Sequence, residues 1–292
     1  MSVASRTGQP AASGFMSQGR QFVGLAILLA FLSVFFLYPL VEILVLSVID
    51  AEGSLSLQPL YKLLTNAGIQ SILLQTAVTS VTVAFTCLVI AYPAAACLAR
   101  LEGWKATLGN IIILFPFLTS SLVRTFVFIV LLGRNGMLNQ FLVSIGVPGA
   151  PWKLLFNQTG VIIGMTYVLL PYMLLSLVGS MKRVDARLID AARSLGAGRV
   201  TIFFTVYLPL TAPGVAAGLV ITTILAFGYF VTPALMGGPA QVMIAQLVEQ
   251  QVVIMFNLSQ AAGLSIIMLV IVGVAYAVAA RWLGIARLMR AG

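Results

Sequence analysis

No histidine occurs in this chain, and its 292 residues carry only seven carboxylates. An imidazole metal site and a Ser/His triad are excluded, and the groups available for general acid–base work are nearly absent. The two cysteines, Cys87 and Cys97, lie ten residues apart in one apolar run. On a helix that separation is ~15 Å, too far for a disulfide, so both read as packing residues. What remains are hydroxyls, phenols and one arginine in apolar surroundings. Arg124 stands in TSSLVRT, and at helical spacing Ser120, Ser121, Arg124 and Thr125 share a polar side. An ionisable group inside a membrane span is costly and is by default a functional hypothesis. That face belongs on a solute path or at an interface with a partner chain. The competing reading has Arg124 snorkelling to the outer headgroups, ~12 Å away by helix rise. Tyr167, Tyr172, Thr222, Thr223, Tyr229 and Thr232 are further candidates for lining a polar passage, although such groups more often hydrogen-bond between helices. Pro171 and Pro233 are expected to kink or end their helices. Such residues serve passage rather than turnover.

The elements that position these residues follow from composition. Hydrophobic residues make up 61% of the chain and charged residues 8%, against about 25% charged in a soluble domain. Apolar runs stand at 22–48, 71–98, 109–132, 160–180, 210–232 and 259–281, each long enough for a helix to cross a bilayer. A β-barrel would show alternating segments of ~10 residues, and alternation is absent. The fold class is therefore all-α and integral to the membrane, with six transmembrane helices. The uncharged stretch 22–41 is longer than a signal-peptide core and no small-residue cleavage site follows it, so it reads as a retained first helix. Residues 1–19 read as a disordered cytoplasmic tail, 20–285 as the membrane domain and 286–292 as a second cytoplasmic tail.

Lysine and arginine orient the spans. With the N-terminus inside, twelve basic residues fall inside and three (Lys62, Arg134 and Lys153) outside, a strong positive-inside bias. Both termini are then cytoplasmic. The net charge of +9 is accounted for by topology and anionic lipid, with no nucleic acid partner implied. Glu42 and Glu249 lie at or beyond the outer ends of spans. Within 133–159, Met137–Ile145 reads as a short interfacial helix between glycine and proline breaks.

One interval is polar and charged. Residues 181–209, MKRVDARLIDAARSLGAGRVTIFFTVYLP, hold five of the sixteen basic residues. Asp185 is placed as an N-cap. Val184, Leu188, Ala191, Ala192 and Leu195 recur at 3–4 residue spacing as one apolar face, and Gly196 stands where a C-cap glycine belongs. A second short helix from Arg199 is expected to run into Leu208–Pro209 and break there. The spacing Asp190-Ala191-Ala192, three residues, Gly196, nine residues, Val206-Tyr207-Leu208-Pro209 resembles the signature loop of binding-protein-dependent ABC transporter permeases. Asp190 replaces the usual Glu and Val206 the usual Ile. TSSLVRTFVFIVLLGRNGMLNQ (119–140), MTYVLLPYMLLSL (165–177) and FVTPALMGGP (230–239) are similar to permease subunits of spermidine/putrescine-type importers.

The resemblance implies a type I ABC importer permease fold in the bacterial inner membrane. It also implies that 181–209 is a coupling loop docking into a separate ATPase. The expected partners are an ATPase dimer, a second permease subunit, an extracytoplasmic solute-binding protein and membrane lipid. No GxxxxGK[ST] occurs and no Gly-Lys pair, so the chain has no P-loop. ATP and magnesium are expected on the partner ATPase, and no cofactor or metal on this chain. A secondary transporter or channel would place acidic or histidine residues mid-span, and none of the seven acids lies there. The family often shows Gly-Asp before Val-Thr-Pro, where this chain has Gly228-Tyr229-Phe230. The loss weakens a cationic polyamine specifically and leaves a polyamine-like or related small polar organic solute.

Overall fold

A computed structural model describes Leu25 and residues 27–49 and 56–282; the expected tails at 1–19 and 286–292 lie outside the described residues. The described elements are helices. In chain order they are α1 (Ile27–Val48), α2 (Gln58–Thr65), α3 (Ala67–Leu98), α4 (Gly103–Leu118), α5 (Ser121–Leu132), α6 (Met137–Ser144), α7 (Gln158–Met181), α8 (Ala186–Ser194), α9 (Arg199–Phe227), α10 (Val231–Met236), α11 (Ile244–Val253) and α12 (Leu258–Trp282).

The core is built by α3, α7 and α9, with Val83 and Cys87 meeting Met165, Leu169, Met173 and Ala226. Lipid is as apolar as leucine, so close packing and hydrogen bonds hold such helices together. Small residues supply the closeness. A β-carbon on Gly214 would overlap that of Ser180, and one on Gly218 would stand 2.5 Å from Met173 Sδ. Ser176 Oγ donates to the Gly214 carbonyl across the same contact (2.9 Å). Cys87 is buried and Cys97 exposed, so the packing role expected of both holds for the first alone. At the periphery, α1 lies along α12, where Ser259 Oγ donates to the Leu46 carbonyl.

Six stretches are long and apolar enough to cross a membrane, the third being Ser121–Ser144, which counts α5 and α6 together. The path of the chain places that crossing differently. A connection of only four residues joins α3 to α4, so α4 starts from the end of the bundle where α3 finishes and α5 carries the crossing onward. The expected uniform span at 109–132 is thus two helices. Thr119 and Ser120 have ψ of 138° and 134°, and both the amide and the hydroxyl of Thr119 donate to the Pro116 carbonyl as α4 ends.

The expected span at 210–232 is also interrupted. Its helix ends at Phe227, and Gly228, Tyr229 and Phe230 intervene before α10. Pro233 lies inside α10, and α7 continues through Pro171 without a break. The expected stop at Pro209 is absent. Arg199–Ile202 leads through a π-helical turn, Phe203–Tyr207, into Leu208–Phe227. In an α-helix the proline ring collides with the carbonyl four residues back, and the wider turn relieves that collision. A second π turn, Ser33–Leu37, stands in the same relation to Pro39 in α1.

Candidate functional site

The polar loop forms a rigid corner. Asp185 caps α8 by accepting from the Arg187 amide (2.9 Å). At the other end the Gly196 amide donates to the Arg193 carbonyl and the Ala197 amide to that of Ala192. This pair of bonds is the Schellman motif. It needs φ of +80° at Gly196, where a side chain would strain the backbone. Asp190 and Arg193 pair at 3.1 Å on the solvent side. No residue of α8 is buried, and Leu188 and Leu195 are 49% and 88% exposed. Its apolar face is thus built and left uncovered by its own chain. Ala191, Ala192 and Gly196 lie on or beside it, while Leu208 and Pro209 sit beyond the π turn at the start of the long helical part of α9.

The second group of residues meets where the two interrupted crossings face each other. Ser121 Oγ and the Tyr229 hydroxyl are hydrogen-bonded. One turn on, Thr125 Oγ1 lies 3.3 Å from Thr232 Oγ1, with both threonines buried. Helix interruptions at membrane depth persist where they are enclosed by protein or line a cavity. Ser120 belongs to the interruption rather than to the helix, so it does not extend the polar side expected of it. Arg124 lies in the first turn of α5, half-buried, and its Nε is enclosed with no hydrogen-bond partner among the described residues. Tyr167 packs at a tilt against Phe128 (ring centroids 4.7 Å apart) and Tyr172 edge-on against Phe117 (4.9 Å), which sets α7 against both halves of the broken crossing. Thr222 is fully buried within α9, two turns before the interruption, and does not join this group.

Three polar clusters escaped sequence reasoning. Gln158 Nε2 donates to Thr79 Oγ1 (2.8 Å), and Gln75 donates to Gln158 Oε1 (2.6 Å). Thr76 Oγ1 receives the Ile244 amide at the start of α11. Asn139, almost fully buried, donates to the carbonyls of Gly133 and Trp152 and accepts the Trp152 amide. The signal for the first was Gln75 and Thr79 four residues apart in an apolar run. The others depend on contacts distant in sequence.

Residues 88–286 match the family described as "Binding-protein-dependent transport system inner membrane component". The spermidine/putrescine transport system permease protein PotB of Haemophilus influenzae is 31% identical over 278 residues, spanning 88% of this chain and 93% of that protein. PotB of Escherichia coli is 35% identical over 187 residues, spanning 64% and 68%. Among solved structures, a chain of the bacterial alginate ABC transporter, in complex with alginate pentasaccharide-bound periplasmic protein, superposes with a TM-score of 0.73. The match covers 92% of this chain and 96% of that one, at 15% identity. That likeness is one of fold.

Proposed function

The chain belongs to the family of binding-protein-dependent transport system inner membrane components, and from that premise we propose how its parts divide the work. It is the permease subunit of an ABC importer for small solutes, a multi-pass protein of the bacterial inner membrane that works with an ATPase and a binding protein. ATP hydrolysis resides on the separate ATPase subunit.

In our reading, α8 with its Gly196 corner is the element through which ATPase motion enters the bundle. One observation carries it: an amphipathic helix capped at both ends whose apolar face is left bare. The loop end of the bundle then faces the cytoplasm, with both termini on that side. The permease pairs with a second, different permease subunit, and ATP and magnesium bind the ATPase. The junction of Ser121, Thr125, Tyr229 and Thr232 beside Arg124 is the solute gate or the permease–permease contact. The tails 1–19 and 286–292 flank a membrane domain of 20–285.

The cargo is a small polar organic solute of the polyamine-like class or related to it. The PotB relatives support that class. The absence of an acidic residue at Gly228-Tyr229-Phe230 favours a less cationic member. The test is reconstitution of permease pair, ATPase and binding protein in vesicles, with Arg193→Cys as a side marker. Uptake of the solute held by the binding protein should require ATP on the face where a membrane-impermeant thiol reagent labels Cys97-free Arg193→Cys. Labelling from the opposite face, or uptake without ATP, would overturn the reading.

A further inference from the structure

We propose that a basic basin at the loop end of the bundle, between the end of α3 and the start of α9, binds the headgroup of an anionic phospholipid. The cavity measures about 450 Å³ and is lined by Ala96, Arg100, Arg193, Arg199, Phe203 and Tyr207 among others. Its polarity is graded. Ala96 lies inside α3, before that helix ends at Leu98, and Phe203 and Tyr207 come from the π turn of α9. Arg100 and Arg199 stand just beyond the apolar parts of those helices, and Arg193 approaches from α8. An apolar floor at membrane depth under a rim of guanidinium groups matches an amphiphile that carries a phosphate above its acyl chains. Basic pockets between helices at this level favour such headgroups, and guanidinium suits phosphate by its forked donors.

The floor is held in shape by aromatic packing. Tyr92 stands edge-on to Phe203 (5.9 Å) and to Tyr207 (6.5 Å), and its hydroxyl bonds Thr211 Oγ1 at 2.9 Å. The rim retains its charge. Among the described residues only Arg193 has a carboxylate within 4.0 Å, that of Asp190. Nor does the basin belong to the ATPase-facing surface. Ile189 and Arg193, which line it, lie roughly 100–160° around α8 from Leu188 and Leu195 by the helical repeat. A free inorganic anion would use the rim and leave the floor bare, so lipid is the better fit.

The inference goes beyond the transport reading and does not depend on turnover. The experiment is native mass spectrometry of the full chain and of its complex with the ATPase, offered phosphatidylglycerol or phosphatidylcholine in detergent. The parent should retain phosphatidylglycerol selectively, alone and in the complex. The double variant Arg100→Gln, Arg199→Gln should retain it about thirtyfold less well, since each cation near an anionic surface contributes roughly fivefold. Arg100→Lys, Arg199→Lys should bind between the parent and the glutamine variant, because the charge is kept and the fork is lost, and shows that the fold survives change at both sites. Equal retention of the two lipids, or full retention by the glutamine variant, would overturn the proposal. Displacement by inorganic phosphate would assign the basin to a soluble anion, and loss of lipid on ATPase binding would assign it to the protein interface; either refutes it.

Discussion

Helices α7 and α8 are separated by a four-residue turn, yet they use their apolar residues in opposite ways. Thirteen of the twenty-four residues of α7 are buried, and Gly160, Gly164 and Ser180 let its neighbours touch its backbone or short side chains. None of the nine residues of α8 is buried, although its apolar positions are as regular. The first helix is finished within its own chain. The second has been given caps at both ends and a fixed corner, with only light packing against the start of α9 to support them. A helix this short is marginal in isolation, so the caps keep it folded while its apolar face stays free for another molecule.

The largest effect expected on either side of this contrast is at the α7–α9 contact. Gly214→Leu would force a side chain into Ser180 and is expected to cost ~3 kcal/mol, read as a fall in thermal stability of the purified protein in detergent. Gly179 on the open side of α7 meets nothing within 4 Å, so Gly179→Leu should change stability by no more than ~1 kcal/mol. Equal effects at the two glycines would dissolve the distinction between packed and open faces.

Next is Gly196→Trp. Its β-carbon would enter open space, so the intrinsic penalty is the ~1–2 kcal/mol of left-handed backbone. Transport should nevertheless fall to background while the assembled ATPase continues to hydrolyse ATP. Full ATP-driven uptake by this variant would remove the coupling role from the corner.

The smallest effect on the fold belongs to Leu195→Asp. At 88% exposure it should alter the stability of the isolated chain by no more than ~0.5 kcal/mol. Co-purification with the ATPase should weaken about tenfold, the order expected when a leucine buried in an interface is lost. Unchanged co-purification would mean that α8 rests on the membrane surface instead.

These two helices also differ in how much of them the sequence revealed. The cap at Asp185, the 3–4 spacing through Leu195 and the glycine at 196 are local signals, and the structure realises each of them. The six crossings are legible for a related reason, since bilayer thickness and hydropathy act on one segment at a time. The interruptions at Thr119–Ser120 and Gly228–Phe230 are not local in this sense. Hydropathy does dip at the first, through Thr119, Ser120, Ser121 and Arg124, but those residues also fit one polar side of a continuous helix, and the conspicuous prolines pointed elsewhere, to Pro171 within an unbroken helix and to Pro233 within α10. What holds the breaks open is their mutual contact through Ser121 with Tyr229 and Thr125 with Thr232, over a hundred residues apart. Pairing of that range leaves no periodic trace. Thr222 is buried in α9 apart from that junction, which residue type could not foretell, because it shows polarity but not which neighbour covers it.

The π turn at Phe203–Tyr207 changes more than the fit of one proline. A helix that completes a turn with an extra residue resets its angular phase, so the side chains before Phe203 and those after Tyr207 do not continue one stripe. The segment joined to the loop and the segment packed in the bundle thereby acquire independent facings while remaining one continuous rod. The rod runs unbroken from Arg199 into the bundle, while the faces at its two ends are free to be shaped for different neighbours.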